Sequence, residues 1–528
     1  MPSQPAPSVA PPPLLSRSSW LDLSVVAGGG LGAGLVFALF YALQGNLRLA
    51  FVGGIAFGLV LVLTGNPRLT FLWGLIGTAP LDLGKRFMSE PHMGGEAAFR
   101  IDIPDVFLAL LTLFLLRDFI RRDRRDFRWP WPVWCWLGIT AIGLVGFFFG
   151  NHPLSAAHEM VRMLKFLLLF LVIVHELARL RQFEQAVAAM MVAVCVQSVL
   201  AIAQYILDRP LARAARGAPT AESFKLLSEA TLEGGAPVFR VSALLGHANL
   251  FSAFIATQAP FALAILFTRA PWWLRAISIV GLALCVPALV LTLSRTGWIM
   301  MGAAMGGVLL LSFFHPVTRR RFVFGRVAVV VVGALFVVAF SGPIMTRLLK
   351  SDKGAVDVRY EWIYVAGRML AANPVFGTGL NSFVYEMPPY TKYGSVEGVR
   401  QKYGENFPVV HNVYAIYAAE TGAVGLILFL AMNGGFVAIS LSNLRARHEL
   451  AFALGMAGVC SIGAFLLDWL ASFSMRNTNM GRMYFLLMGV NTALYYWRKY
   501  NEPAALPAGP AAPQVPRLPA PEPSSAVP

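Results

Sequence analysis

The chain has 528 residues, 57% of them hydrophobic and only 13% charged, where an average soluble domain carries roughly 25% charged residues. So few charges cannot cover a soluble protein of this length, and so apolar a composition excludes a disordered or fibrous chain. The charge is lopsided, with 43 Lys+Arg against 27 Asp+Glu and a formal net charge of +16, which admits nucleic acid, an anionic membrane face or an anionic substrate as partner.

Residues 1–21 are rich in Pro and Ser, carry Arg17 and show no apolar core before Trp20. This predicts a disordered N-terminal segment without a cleavable signal. Apolar stretches approaching the length of a bilayer-crossing helix follow near 22–43, 49–65, 68–83, 103–118, 132–150, 161–177, 184–206, 249–269, 272–293, 296–315, 325–341, 412–440, 450–473 and 480–498. Lipid offers no partner for free backbone groups, so spans must be helices, and the runs lack the alternation of a β-barrel. The expectation is an all-α polytopic integral membrane protein with about 14 (12–14) transmembrane helices of about 20 residues each.

Clusters of arginine set the orientation. Arg117, Arg121, Arg122, Arg124, Arg125 and Arg128 crowd one loop, and Arg319, Arg320 and Arg321 another. Arg179 with Arg181, Arg269 with Arg275, and Arg445 with Arg447 mark shorter turns. All fall on one side if every span is crossed in turn, and that side is the cytoplasm. Both termini are expected there, in the inner (cytoplasmic) membrane of a bacterium. The expected organisation is an N-terminal transmembrane bundle over 22–206, a periplasmic loop over 207–248 and further spans over 249–341. A large periplasmic loop over 342–411, C-terminal spans over 412–498 and a Pro/Ala-rich disordered tail over 499–528 complete it. The four cysteines, Cys135, Cys195, Cys285 and Cys460, sit singly in apolar runs. They form neither a metal-ligand spacing nor a disulfide framework.

The remaining ionisable residues collect on the opposite side. Ser294-Arg295-Thr296-Gly297 ends the ninth span; Gly297 is expected to break the helix and let a phosphate approach backbone N–H groups. Arg359, Trp362 and Ala366 fall at helical spacing, predicting a short amphipathic helix that Asn373-Pro374 and the glycines Gly377 and Gly379 end in a tight turn. His411-Asn412 heads the twelfth span, and an imidazole there can accept a hydroxyl proton near neutral pH. Glu420 lies deeper in that span, where carboxylates are rare. Arg240 precedes Gly246-His247-Ala248-Asn249, with Asn249 expected to cap the eighth span. Arg162 and Lys165 share a helix face at the outer end of the sixth span and can hold a phosphate. Each has an ordinary alternative, such as snorkelling, a surface ion pair, a hydrogen-bonded anchor or close helix packing.

Taken in order, an S-R-T-G span end, an R-x2-W segment, a P-x2-G-x-G-x-N-x-F turn, an H-N-x-Y head and an A-E-x-G-x2-G segment resemble the O-antigen ligase and polymerase superfamily over about 235–435. The resemblance implies a membrane glycosyltransferase fold that takes a glycan from undecaprenyl diphosphate on the periplasmic side, with no metal or nucleotide cofactor. It implies Arg295 and Arg359 as diphosphate-binding arginines and His411 as the histidine that activates or orients the acceptor. Arg240, Arg162, Lys165, Asn412 and Glu420 are further candidates for substrate binding. The implied partners are the lipid-linked donor, a glycan or lipid acceptor, membrane lipids and other polysaccharide-assembly membrane proteins. Nucleic acid is not among them, because the loop clusters serve orientation. The alternatives are a transporter of a small anion or sugar, which calls for ionisable groups at mid-bilayer and paired halves, and a structural scaffold.

Overall fold

The computed structural model describes residues 65–82, 84–90, 94–121, 127–207, 229–230, 238–314, 355–404 and 407–502, with scattered residues of 326–342. The expectations for 1–21, for the spans near 22–43 and 49–65, for most of the loop 207–248, for the span 325–341 and for most of the tail lie outside the described residues.

The described chain is overwhelmingly helical. Helix α1 (Pro67–Thr78) leads through a two-stranded antiparallel hairpin, β1 (Gly84–Phe87) and β2 (Phe99–Asp102), into α2 (Ile103–Ile120). Then follow α3 (Pro132–Phe149), α4 (Pro153–Glu176), α5 (Leu180–Ile206), α6 (Ala248–Leu266), α7 (Trp272–Leu291) and α8 (Arg295–Leu311). The large loop contributes α9 (Ala355–Ala372), the single turn α10 (Phe383–Glu386) and α11 (Val396–Tyr403). The last long helices are α12 (Val413–Asn443), α13 (Glu449–Asp468) and α14 (Thr478–Asn501). Six described helices, α3, α5, α6, α7, α12 and α13, are long and apolar enough to cross a bilayer. The expected number of about 14 spans exceeds what these helices establish; the multi-pass, all-α character stands.

Local chemistry sets the helix starts. Proline at the first helical position begins α1, α3 and α4, where its missing N–H costs nothing. Asn66 caps α1 through the Leu69 N–H, and Asn477 caps α14 through Asn479 and Met480. Helix α4 begins at Pro153, not near 161 as the apolar run alone suggested. Its polar first turns are buried against protein: Ser155, His158, Glu159 and Arg162 are each at most 3% exposed. Helices α4 and α14 approach closely because Gly481 lies against the Phe166 ring and Gly489 against Ile173, where a Cβ would sit 2.6 and 2.9 Å from those side chains.

The helix ends gather at two opposite faces. At one, the Arg128 N–H donates to His175 Nε2 (3.0 Å) and its guanidinium lies over Tyr496 and Tyr500, while Arg269, Arg447 and His448 donate backbone N–H groups to Glu449 or Glu502. The described arginine-rich turns thus share one face. The other face holds the β1–β2 hairpin, the loop helices and the starts of α4, α6, α8, α12 and α14. There Arg482 (3% exposed) pairs with Asp102 (1% exposed), which also pairs with Arg100 at 2.6 Å. Removing one partner of a buried pair costs about 3–5 kcal/mol. Arg482→Met is expected near the lower end, since Asp102 keeps Arg100. Thermal unfolding of the purified protein in detergent should show it as a clearly lowered midpoint; an unchanged midpoint would contradict the ion pair's role.

Candidate functional site

The site is built on helix starts at the face away from the arginine-rich turns. Between α7 and α8 the chain reverses through Leu293, held at φ 51°. Ser294 then caps α8, its Oγ accepting the Gly297 N–H at 3.3 Å. Gly297 therefore lies within a continuous helix and does not break it as expected. Its place is a contact requirement: a Cβ there would sit 2.4 Å from the Ser252 Cβ on α6. Arg295, half-buried, opens α8 on this face.

Arg240 packs beside this turn. Its Nε donates to the Thr292 carbonyl (2.8 Å), and a terminal nitrogen donates to Asn249 Oδ1 (2.7 Å). The expected cap role of Asn249 falls instead to His247, whose Nδ1 accepts the Asn249 N–H at 3.1 Å. The Asn249 side chain is thereby released to orient Arg240. Because His247 Nδ1 accepts, its neutral ring carries the proton on Nε2. Burial, with the positive charge of Arg240 and the proximity of His411, pushes the His247 imidazole down to about 4.

His411 lies just before α12. Its Nδ1 is 3.0 Å from the Val409 carbonyl oxygen, and its ring meets Phe473 edge-on with centroids 5.0 Å apart. A carbonyl can only accept, so Nδ1 carries the proton and Nε2 of the neutral ring presents a lone pair. Burial lowers the imidazole below its ordinary value, and the Arg359 guanidinium lowers it further. Arg359 is exposed on α9, one turn before Trp362. The expected helix is there: Trp362, Val365, Ala366 and Met369 bury one face against Phe383, Val410, Ile416 and Ala419. Arg359, His411, His247 and Arg240 thus form one electrostatically linked group, with Arg295 three residues beyond the carbonyl that Arg240 holds.

Other candidates are placed differently. Asn412 is the cap of α12: its Oδ1 accepts the Ala415 N–H (2.9 Å) and its Nδ2 donates to the Leu470 carbonyl (3.1 Å). Arg162 is buried within α4, paired with Glu159 and donating to the Arg476 carbonyl. Lys165 binds Asp105 at 2.6 Å and the Arg100 carbonyl at 2.8 Å. With these carboxylates in place, neither cation presents the exposed phosphate-binding face that their spacing suggested. Glu420 is 1% exposed, and its carboxylate accepts from the backbone of Asn381 and Phe383 and from Arg476. It faces the protein interior. Arg368 donates to the Tyr390 carbonyl. Sequence reasoning missed His247 as a group of the site, and Arg476 and Glu159 as buried charges behind it.

Residues 280–430 match the family model described as O-antigen ligase. The matched segment runs from α7 through most of α12 and contains Arg295, Arg359 and His411. This segment of the chain is thus similar to the O-antigen ligase family, and it lies among several helices long and apolar enough to cross a membrane. No curated protein matches the chain.

The lowering of His411 by Arg359 has a checkable sign. A fixed positive charge disfavours the imidazolium, so Arg359→Ala should raise the imidazole toward its ordinary value of about 6.5. Only the neutral ring reacts with diethyl pyrocarbonate. The pH midpoint of His411 modification, followed by peptide mass spectrometry, should therefore move upward in Arg359→Ala.

Proposed function

We propose that the protein transfers a glycan from undecaprenyl diphosphate to an acceptor hydroxyl on the periplasmic side of a bacterial inner membrane, in O-antigen or exopolysaccharide assembly. One observation carries the reading: within the family-matched segment, a histidine held by a backbone carbonyl offers its free nitrogen beside an arginine.

The chemistry follows from these groups. The acceptor oxygen attacks the anomeric carbon of the donor sugar as the bond from that carbon to the phosphate oxygen breaks. The hydroxyl proton passes to His411 Nε2, whose lowered basicity keeps it unprotonated and ready at neutral pH. The diphosphate leaves with growing negative charge, which Arg359 and Arg295 balance by charge-assisted hydrogen bonds, with Arg240 as a further contributor. A guanidinium suits this role better than an ammonium because its planar fork matches two phosphate oxygens and its charge does not titrate. A single displacement inverts the anomeric configuration. The transfer needs no metal, since fixed cations hold the leaving group. The arginine-rich turns on the opposite face support a reading with both termini in the cytoplasm. Nothing in the fold or the family match favours the transporter alternative.

His411→Ala, Arg359→Ala and Arg295→Ala are each expected to abolish surface glycan assembly at unchanged protein level; unaltered glycan in all three would sink the transferase reading. A deletion strain separates the two acceptor classes. Single repeats accumulating on the polyprenyl lipid indicate a polymerase, and full-length chains retained on the lipid indicate a ligase.

A further inference from the structure

Helix α12 is interrupted within its apolar length. Gly422 adopts φ 64° and ψ −166°, outside helical geometry. Such a break frees main-chain groups where lipid cannot satisfy them. Here the chain following α9 does so. The Ala423 N–H donates to the Pro374 carbonyl (2.8 Å) and the Val424 N–H to the Val375 carbonyl (3.3 Å). In return the Thr378 and Gly379 N–H groups donate to the carbonyls of Ala419 (3.0 Å) and Glu420 (2.9 Å). The approach is too close for side chains. A Cβ on Gly422 would sit 2.3 Å from the Val375 carbonyl oxygen, and one on Gly377 2.4 Å from the Glu420 carbonyl carbon.

Side chains close the same junction. Glu420 Oε2 accepts the Asn381 N–H at 2.9 Å and Oε1 accepts the Phe383 N–H at 3.1 Å. Arg476, 1% exposed and lying just before α14, donates to Glu420 Oε2 (2.8 Å) and to Asn381 Oδ1 (3.2 Å). It also pairs with Glu159 of α4 at 3.1 Å and donates to the Gly94 carbonyl of the β1–β2 connection at 3.3 Å. Asn381 Nδ2 in turn reaches the Ser155 and Glu96 carbonyls. The turn after α9 is therefore fastened to α12, α4 and the start of α14 at once.

The position of the junction gives it a task. Arg359 is carried by α9, which runs directly into the fastened turn, and His411 stands at the head of α12. Glu420 lies nine residues beyond His411, roughly 13 Å along a helix at about 1.5 Å per residue, and is buried, so it cannot touch the reacting atoms. We propose that Glu420 and Arg476 are positioning residues, which hold the Arg359 helix in register beside the His411 helix. The inference rests on the transfer reaction proposed above for what the register is needed for, and on geometry alone for the register itself.

The test uses the full-length protein in native membranes and reads two quantities for Glu420→Gln, Gly422→Ala and Arg476→Lys. The first is the pH midpoint of diethyl pyrocarbonate modification at His411, which needs no substrate. Among the described residues, Arg359 and His247 are the charged or titratable groups that bear on this imidazole, and Arg240 bears on His247. If Arg359 drifts from its place, the midpoint rises, in the same direction as in Arg359→Ala. The second is glycan transfer, expected to fall by about tenfold to a hundredfold for a displacement on the order of 1 Å. Gly422→Ala pushes the turn away without altering any charge. Arg476→Lys keeps the buried charge while losing the fork, and serves where loss of charge prevents folding. Folded variants whose His411 midpoint stays at the wild-type value would overturn the proposal, whatever their activity, because a purely structural defect scales the amount of active protein without moving the midpoint. Failure of the transferase reading is recognised separately, by intact glycan in His411→Ala.

Discussion

A main-chain group inside a bilayer has no water to turn to, and this constraint bears on the family-matched segment of the molecule. An unbroken helix satisfies its own backbone, so most of the long helices need only apolar side chains. Helix α12 departs from this at Gly422 and becomes dependent on another segment for its hydrogen bonds. The segment that answers it, 374–379, comes from the large loop. A soluble-looking stretch of chain is thereby joined to a long apolar helix through its backbone. The site at the head of α12 inherits its geometry from that exchange.

The charges divide by what answers them. Glu159, Arg162, Glu420 and Arg476 neutralise one another in the interior, and Asp102, Arg100 and Arg482 do likewise near the hairpin. Pairs of this kind are costly to desolvate and contribute more to uniqueness of arrangement than to net stability. The group around His411 is different. Arg359, Arg240 and Arg295 are cations at helix starts on one face, and the two imidazoles among them are held neutral. Such a group suits a ligand that brings its own negative charge.

Much of this was legible in the sequence. Apolar runs of bilayer length marked α3, α5, α6, α7, α12 and α13, because length and composition alone decide that property. The spacing of Arg359, Trp362 and Ala366 gave the loop helix, and Gly377 and Gly379 its end, because each signal is local. Misreadings arose where the deciding partner lies far along the chain. Lys165 looked available because its carboxylate, Asp105, belongs to another helix. Glu420 was recognised as unusual, yet the N–H groups it accepts are 37 and 39 residues upstream. Asn249 was assigned the cap because Asn favours that position, whereas the imidazole of His247 fills it. Arg482 did carry a visible signal, a guanidinium inside an otherwise apolar run. Arg476 carried none, being one polar residue in a short polar turn.

The junction at Gly422 also bears on how the protein is made. The loop segment that completes α12 is synthesised before it. Arg476, which fastens the two, emerges only after α13. Until then the Glu420 carboxylate lacks its cationic partner, although the residues that bond the four backbone groups of α12 have already been made. The junction is therefore complete only once residue 476 has been made. A chain that stops short of residue 476 therefore lacks the ion pair that closes the junction between the loop segment and α12.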